Sequence, residues 1–153
     1  MKGAAPGMVL AAAVVALAHA LAGCSEEVRA ISAGKDAAKS HLKDPPSARF
    51  GPVFLVVKPV GKDGVRDAAT CGVIDGKNGF GGYTGGSRFV VLQILSKYGV
   101  DNISVQYEDY DSKKAWPDPD NSPPESLFER SWWNPNCVDA AHPATRTGDV
   151  GNL

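Results

Sequence analysis

Between Cys71 and Phe89 the chain reads CGVIDGKNGFGGYTGGSRF, nineteen residues of which seven are glycine. Glycine gives up the most backbone freedom on folding, so a run this dense persists only where tight turns or close backbone approach demand it. β-forming residues flank it, Val73 and Ile74 before and Phe89 to Ile94 after. Asn78-Gly79 within it is a strong two-residue hairpin signal. The stretch predicts two strands joined by a glycine-rich hairpin, and the rest of the chain must be arranged around it. Asp75, Lys77, Asn78, Phe80, Tyr83 and Thr84 are the side chains it presents.

The spacing argues against phosphate loops. A nucleotide P-loop requires G-x-x-x-x-G-K-[ST], whereas Gly76-Lys77 is followed by Asn78 and the preceding Gly72 stands one residue too close. A dinucleotide fingerprint requires G-x-G-x-x-G opening a helix; Gly79-x-Gly81 is followed by Thr84 at the third position and then by β-like sequence.

The segment resembles a motif of small, uncharacterised bacterial secreted proteins and lipoproteins, approximately C-G-x-[VI]-N-x-K-N-x-x-G-G-Y-x-G followed by an aromatic. Cys71, Gly72, Ile74, Lys77, Asn78, Gly81, Gly82, Tyr83 and Gly85 match it. That family also tends to carry K-D-P-x-S-A-x-F upstream, which stands here as Lys43-Asp44-Pro45-Pro46-Ser47-Ala48-Arg49-Phe50. Asp75 departs from the motif's first Asn, Gly79 from a frequent Ser and Gly86 from the aromatic. The resemblance covers residues 35 to 90 and implies no activity.

Residues 1–23 read as a lipoprotein signal peptide: Lys2 supplies the basic start and Met8 to Ala20 the apolar core. Leu21-Ala22-Gly23-Cys24 looks like a lipobox, in which Cys24 is acylated, with palmitate-type chains, and becomes the new N-terminus. The apolar stretch is too short for a membrane span. Two or three acyl chains, at about 0.8 kcal/mol per buried methylene, hold where one chain would not. The expected location is the bacterial cell envelope, anchored and facing the periplasm or the exterior.

The mature chain from Cys24 carries fifteen basic and seventeen acidic side chains, since Lys2 is the one charged residue removed. No basic face points to nucleic acid. With Cys24 lipidated, Cys71 and Cys137 remain, an even pair in an oxidising compartment, and a disulfide between them is favoured over free thiols. It would close a span of 66 residues (137 − 71), worth roughly 4 kcal/mol in chain-entropy terms.

From Ser25 to about Lys43 the pattern is helical, with Val28, Ile31, Ala38 and Leu42 on one face. Residues 24–34 also read as a lipidated tether, leaving 35–137 as the domain. Asp44-Pro45-Pro46 stops the helix. Strands are expected at Phe50 to Val60, Val65 to Asp75, Ser87 to Ser96 and Ile103 to Tyr110, with turns at Gly61 to Gly64 and Gly99 to Asn102. The continuous apolar run Phe89 to Leu92 suits a central strand covered on both faces. Pro124 to Arg130 predicts a helical turn, Trp132 and Trp133 core packing beside the disulfide, and 138–153 a disordered tail. The fold class is α+β: an N-terminal helix packed on an antiparallel sheet of about four strands, with one disulfide.

The chemistry inventory is thin. No G-x-S-x-G occurs, the mature chain's His41 and His142 lack motif company, and Asp109-x-Asp111 runs into Lys113 and Lys114 rather than an EF-hand glycine. No catalytic set, metal site or cofactor is assigned. Asp75 and Glu108 are the carboxylates whose strands could bring them together as a hydrolytic pair. Lys77, Asn78 and Tyr83 are the candidate binding residues, with turn formation and packing as the competing account. The expected function is a lipid-anchored binding or structural module, with a protein or cell-wall component of the envelope as partner. The alternative is a small envelope hydrolase, or an inhibitor of a cell-wall hydrolase.

Overall fold

A computed structural model of the chain describes residues 26–61, 63–83, 85–116 and 123–148. The expected signal peptide, Cys24, Thr84, residues 117–122 and the final five residues lie outside the described residues. Helix α1 (26–40) comes first, and a single 3-10 turn at Pro45–Ser47 separates it from the sheet. Four strands follow, β1 (Arg49–Val57), β2 (Arg66–Asp75), β3 (Ser87–Ser96) and β4 (Gly99–Tyr107). They pair antiparallel in the order β1-β2-β3-β4. The architecture is the expected α+β one, a helix on a four-stranded antiparallel sheet.

The apolar run on β3 is explained by its place. β2 and β3 are the inner strands, and alternate residues of each face opposite layers. Cys71 pairs with Val90 and Ala69 with Leu92 on one face; Thr70 pairs with Val91 and Gly72 with Phe89 on the other. Pro52 is tolerated because β1 is an edge strand, and it sits where the β1–β2 register shifts between Phe50 and Val53. β4 begins at Gly99, earlier than the Ile103 expected. The turn is Lys97–Tyr98, flanked by the Ser96–Gly99 pair, with Tyr98 N–H donating to Ser96 Oγ. Asp101 and Asn102, turn formers by propensity, are drawn into the strand because Asn102 pairs with Gln93.

α1 meets the sheet through a different stripe from the one its larger residues define. Ala30, Gly34 and Ala38 are buried, whereas Val28 is 66% exposed. A Cβ on Gly34 would stand 2.6–2.8 Å from the Thr70 side chain, so only glycine lets the helix backbone come this close to β2. The close approach brings helix carbonyls within reach of sheet side chains. Gln93 Nε2 donates to Ala30 O at 2.9 Å and to Asn102 Oδ1 at 2.8 Å, Thr70 Oγ1 donates to Gln93 Oε1 at 2.8 Å, and Asn102 Nδ2 donates to Ala33 O. A buried polar seam of this kind is favourable because its members satisfy one another.

The other sheet face is covered by the C-terminal chain. A two-residue ladder joins β5 (Ala115–Trp116) to β6 (Glu125–Ser126), and a π-helical turn (Glu129–Trp133) runs into the short helix α2 (Asn134–Cys137). Phe128, Trp133 and Cys137 pack with Ala69, Cys71 and Val90, and Trp132 lies against the same cluster. Cys71 and Cys137 form the expected disulfide, with Cα atoms 5.9 Å apart. Residues 138–148, expected as the start of a disordered tail, are instead bonded to the domain. His142 stacks on Phe54 at 3.6 Å, and Thr145 and Thr147 hydrogen-bond to Arg88 and Glu129. Periodicity could not signal this segment, because isolated polar contacts hold it.

Candidate functional site

The hairpin between β2 and β3 projects from the end of the sheet where α1 finishes. Lys77 and Tyr83 form its last bridge, and Asn78 N–H donates to Gly82 O at 2.8 Å. Gly81 N–H returns to Asn78 O at 3.0 Å. The loop proper is thus Gly79-Phe80-Gly81, a three-residue connection closed by a left-handed residue, and Gly81 occupies that place with φ +81°. The two-residue turn expected at Asn78-Gly79 does not form: Asn78 closes the loop from its base. Its Oδ1 accepts from Phe80 N–H at 2.9 Å and from Gly82 N–H at 3.1 Å, a side chain standing in for a backbone turn.

The hairpin's stem rests on the segment before β1. Tyr83 Oη donates to Ser47 O at 3.0 Å, Arg49 lies over the Tyr83 ring at 3.8 Å, and Lys77 N–H donates to Ser47 Oγ at 2.9 Å. Ser47 Oγ in turn donates to Asp44 O at 2.7 Å. Asp75 serves the neck: its Oδ1 accepts from Gly76 N–H at 2.9 Å and its Oδ2 from Gly85 N–H at 3.3 Å. Of the candidate binding residues, Asn78 commits its side-chain oxygen within the hairpin and Tyr83 its hydroxyl to Ser47. Lys77 is exposed. Phe80, not among those candidates, is 100% exposed at the tip. Its signal in the sequence is that it is the one apolar side chain in a run otherwise of glycine and polar residues.

Beneath the hairpin lies a cleft of about 260 Å³ lined by His41, Asp75, Tyr107 and Glu108 among others. The two carboxylates considered as a hydrolytic pair therefore do border one space. Both are engaged: Asp75 by the loop amides, and Glu108 by a bidentate contact with Arg88 through Nε at 3.0 Å and Nη2. Tyr107 Oη donates to Ala38 O, and burial raises its pKa to about 12. A glycosidase-type site needs one carboxyl group free to give a proton and one free to receive the sugar or a water. The committed geometry here serves structure.

Arg88 joins the hairpin's exit to the C-terminal layer. Beyond Glu108 it reaches Glu129 at 3.0 Å and Thr145 Oγ1 at 2.9 Å, with its guanidinium 5.2 Å from the Trp133 ring centroid. Desolvation would lower its pKa, but the paired Glu108 and Glu129 carboxylates outweigh that and raise it. Glu129 is fully buried and accepts from the backbone N–H groups of Ser126 and Thr147 at 2.9 and 2.8 Å and from Thr147 Oγ1 at 2.7 Å. Burial alone would push its carboxyl up; these donors overcome it and hold the pKa at about 2. Sequence reading missed this cluster, whose one clue was a glutamate set between Phe128 and Trp132-Trp133.

Among the described residues no group of three or more His, Cys, Asp or Glu side chains is placed to hold a metal ion, and no helix is long and apolar enough to cross a membrane. Comparison of the chain with protein-family models, curated protein sequences and solved structures finds no match.

Proposed function

We propose that the protein is a lipid-anchored module of the bacterial envelope that holds its glycine-rich hairpin away from the membrane as a binding element, with Phe80 entering a pocket on an envelope partner. The observation that carries this reading is a fully exposed phenylalanine on a loop whose shape is fixed by its own Asn78. An exposed aromatic at a preorganised tip costs little entropy to bury, and such residues dominate interface energies. The glycines on either side put no side chain beside the ring, and exposed Lys77 adds one charge. A partner with a cleft, a cell-wall hydrolase among them, suits a single projecting ring.

The placement of the ends supports the same reading. Arg66 pairs with Glu26 and Ala30 packs with Ala68 and Leu95, so α1 begins at the end of the sheet opposite the hairpin. β2 spans ten residues, so the anchor side and the hairpin are separated by roughly 30 Å at ~3.3 Å per residue.

The test has two parts. Labelled fatty acid should enter the wild-type protein and not Cys24→Ser, which should leave the membrane fraction. A photoreactive phenylalanine analogue at position 80 should crosslink a discrete envelope protein or cell-wall fragment, and Phe80→Ala should lose capture of it. Equal capture by Phe80→Ala and wild type would remove the hairpin as the binding element.

A further inference from the structure

The end of the domain opposite the hairpin carries exposed apolar residues on three separate elements. Val28 lies in the first turn of α1, Val60 in the β1–β2 connection at 63% exposure, and Tyr98 at the tip of the β3–β4 turn at 88% exposure. The antiparallel topology makes both connections leave the sheet at the end where Arg66 meets Glu26, the end at which α1 begins. None of the three packs in a core cluster of the described residues.

The chain itself says what faces this end. The described helix starts at residue 26, two residues after Cys24. Two residues span at most about 7 Å, so an acylated Cys24 holds the start of α1 against the bilayer surface. We infer that this end is a membrane-docking face, with Val28, Val60 and Tyr98 seated in the lipid headgroup layer so that the domain stands upright on the bilayer. The inference rests on the lipid anchor of the proposed function.

The chemistry of the face fits an interface of this kind. Tyrosine has an apolar ring and a polar tip, which suits the boundary between acyl chains and water. Lys97 lies 4.9 Å from the Tyr98 ring centroid, placing an ammonium group beside it at phosphate level. Glu27 and Asp63 share the same end, so its attraction to lipid is apolar and interfacial rather than a matter of net charge. Docking is therefore expected to survive high salt, unlike the binding of a basic patch.

The experiment uses the mature protein purified with its native N-terminus and placed in nanodiscs of phosphatidylethanolamine and phosphatidylglycerol. The mass of the N-terminal peptide reports whether Cys24 is acylated. Amide spectra are then compared with and without a lipid carrying a headgroup spin label, at low and high salt. The expected result is loss of the amide peaks of Val28, Val60 and Tyr98 while those of Gly79 to Gly82 persist, at both salt concentrations. An acylated protein whose three peaks survive overturns the docking face and leaves the anchor standing. Absence of acyl mass overturns both. Peaks protected from solvent exchange but untouched by the spin label would mean that a second copy covers this end, which also overturns the inference.

Discussion

Tyr83 Oη donates to the carbonyl of Ser47 at 3.0 Å, 36 positions away in sequence. That bond joins the segment Asp44 to Phe50 to the glycine-rich hairpin, the two stretches that stand out separately in the sequence. Arg49 over the Tyr83 ring and Ser47 Oγ beneath the Lys77 amide complete the joint. The first stretch is the cradle of the second. Tyr83 ties the hairpin's stem to that cradle, and in the proposed function the ligand-facing role falls to Phe80.

Tyr83→Phe keeps the ring under Arg49 and removes one hydrogen bond, a loss expected at about 1 kcal/mol. Tyr83→Ala removes the ring as well and should cost about 2–3 kcal/mol, since the arginine contact and the partly buried ring go together. Urea denaturation of the two variants measures this. Equal and negligible costs would return Tyr83 to the list of binding residues.

Glu129 gives the fold a defined acid limit. Its folded pKa of about 2 lies below its ordinary 4.5, so the unfolded chain takes up the proton first. The stability it contributes is complete above pH 4.5 and is lost as pH falls toward 2; a displacement of that size is worth about 3 kcal/mol. Glu129→Gln should lower stability at neutral pH by about 3 kcal/mol, because Arg88 keeps only one carboxylate partner. It should also flatten the stability curve between pH 4.5 and 2, as followed by denaturant titration at each pH. An unchanged slope in that interval would show that other carboxylates carry the acid sensitivity.

The sheet was legible because its signals are local. The apolar run on β3, the edge proline Pro52 and the paired Cys71 and Cys137 each state their own environment. The helix was legible as an element and only in part as a face, since Ala38 and Leu42 pack on the sheet as expected while Val28 does not. Reading Val28 and Ile31 as buried follows the rule that large apolar residues point inward. Here the seam is Ala30, Gly34 and Ala38, because a polar network of Thr70, Gln93 and Asn102 requires the backbone to come close. The hairpin end was half legible. Glycine density marked the hairpin, but which side chains it consumes depends on Ser47 and on the loop's own closure. The C-terminal layer was least legible, since Thr145, Thr147 and His142 act through single long-range contacts.

The disulfide ties the C-terminal layer to β2 at a site with no solvent access, both cysteines being buried. Replacing both with Ala should cost about 2–5 kcal/mol. Hydrogen exchange should rise first in Phe128 to Cys137, which loses its covalent attachment, and less in α1. Uniform loss of protection across both layers would mean that the bridge stabilises the fold only by shortening the unfolded chain.

Gly81 and Gly82 separate conformation from space. Gly81 sits at φ +81° with open surroundings, so Gly81→Val is strained by its backbone alone, at about 1–3 kcal/mol. Gly82 has no such dihedral, and an added Cβ would touch only the Asn78 side chain at 3.8 Å. Gly82→Val should therefore be near neutral, while Gly81→Val should lower the melting temperature by several degrees in a calorimetric scan. The reverse order would refute the three-residue loop.

Asn78 and Phe80 divide the hairpin into what shapes it and what it presents. Asn78→Ala leaves the Phe80 and Gly82 amides without their acceptor. Because both amides are exposed, water replaces part of the loss, and the cost should stay near 1 kcal/mol. Phe80 touches no core cluster and is fully exposed, so Phe80→Ala should change stability by less than about 0.5 kcal/mol. The two variants should then part company in binding. Phe80→Ala should lose the partner found by crosslinking at position 80 while folding like wild type. Asn78→Ala should weaken capture through a faster off-rate, since its ring is still present but the loop no longer holds it ready. Surface-immobilised partner and the two variants at equal concentration read this directly. If Asn78→Ala binds like wild type, the loop's shape is not what positions Phe80, and the ring acts on its own.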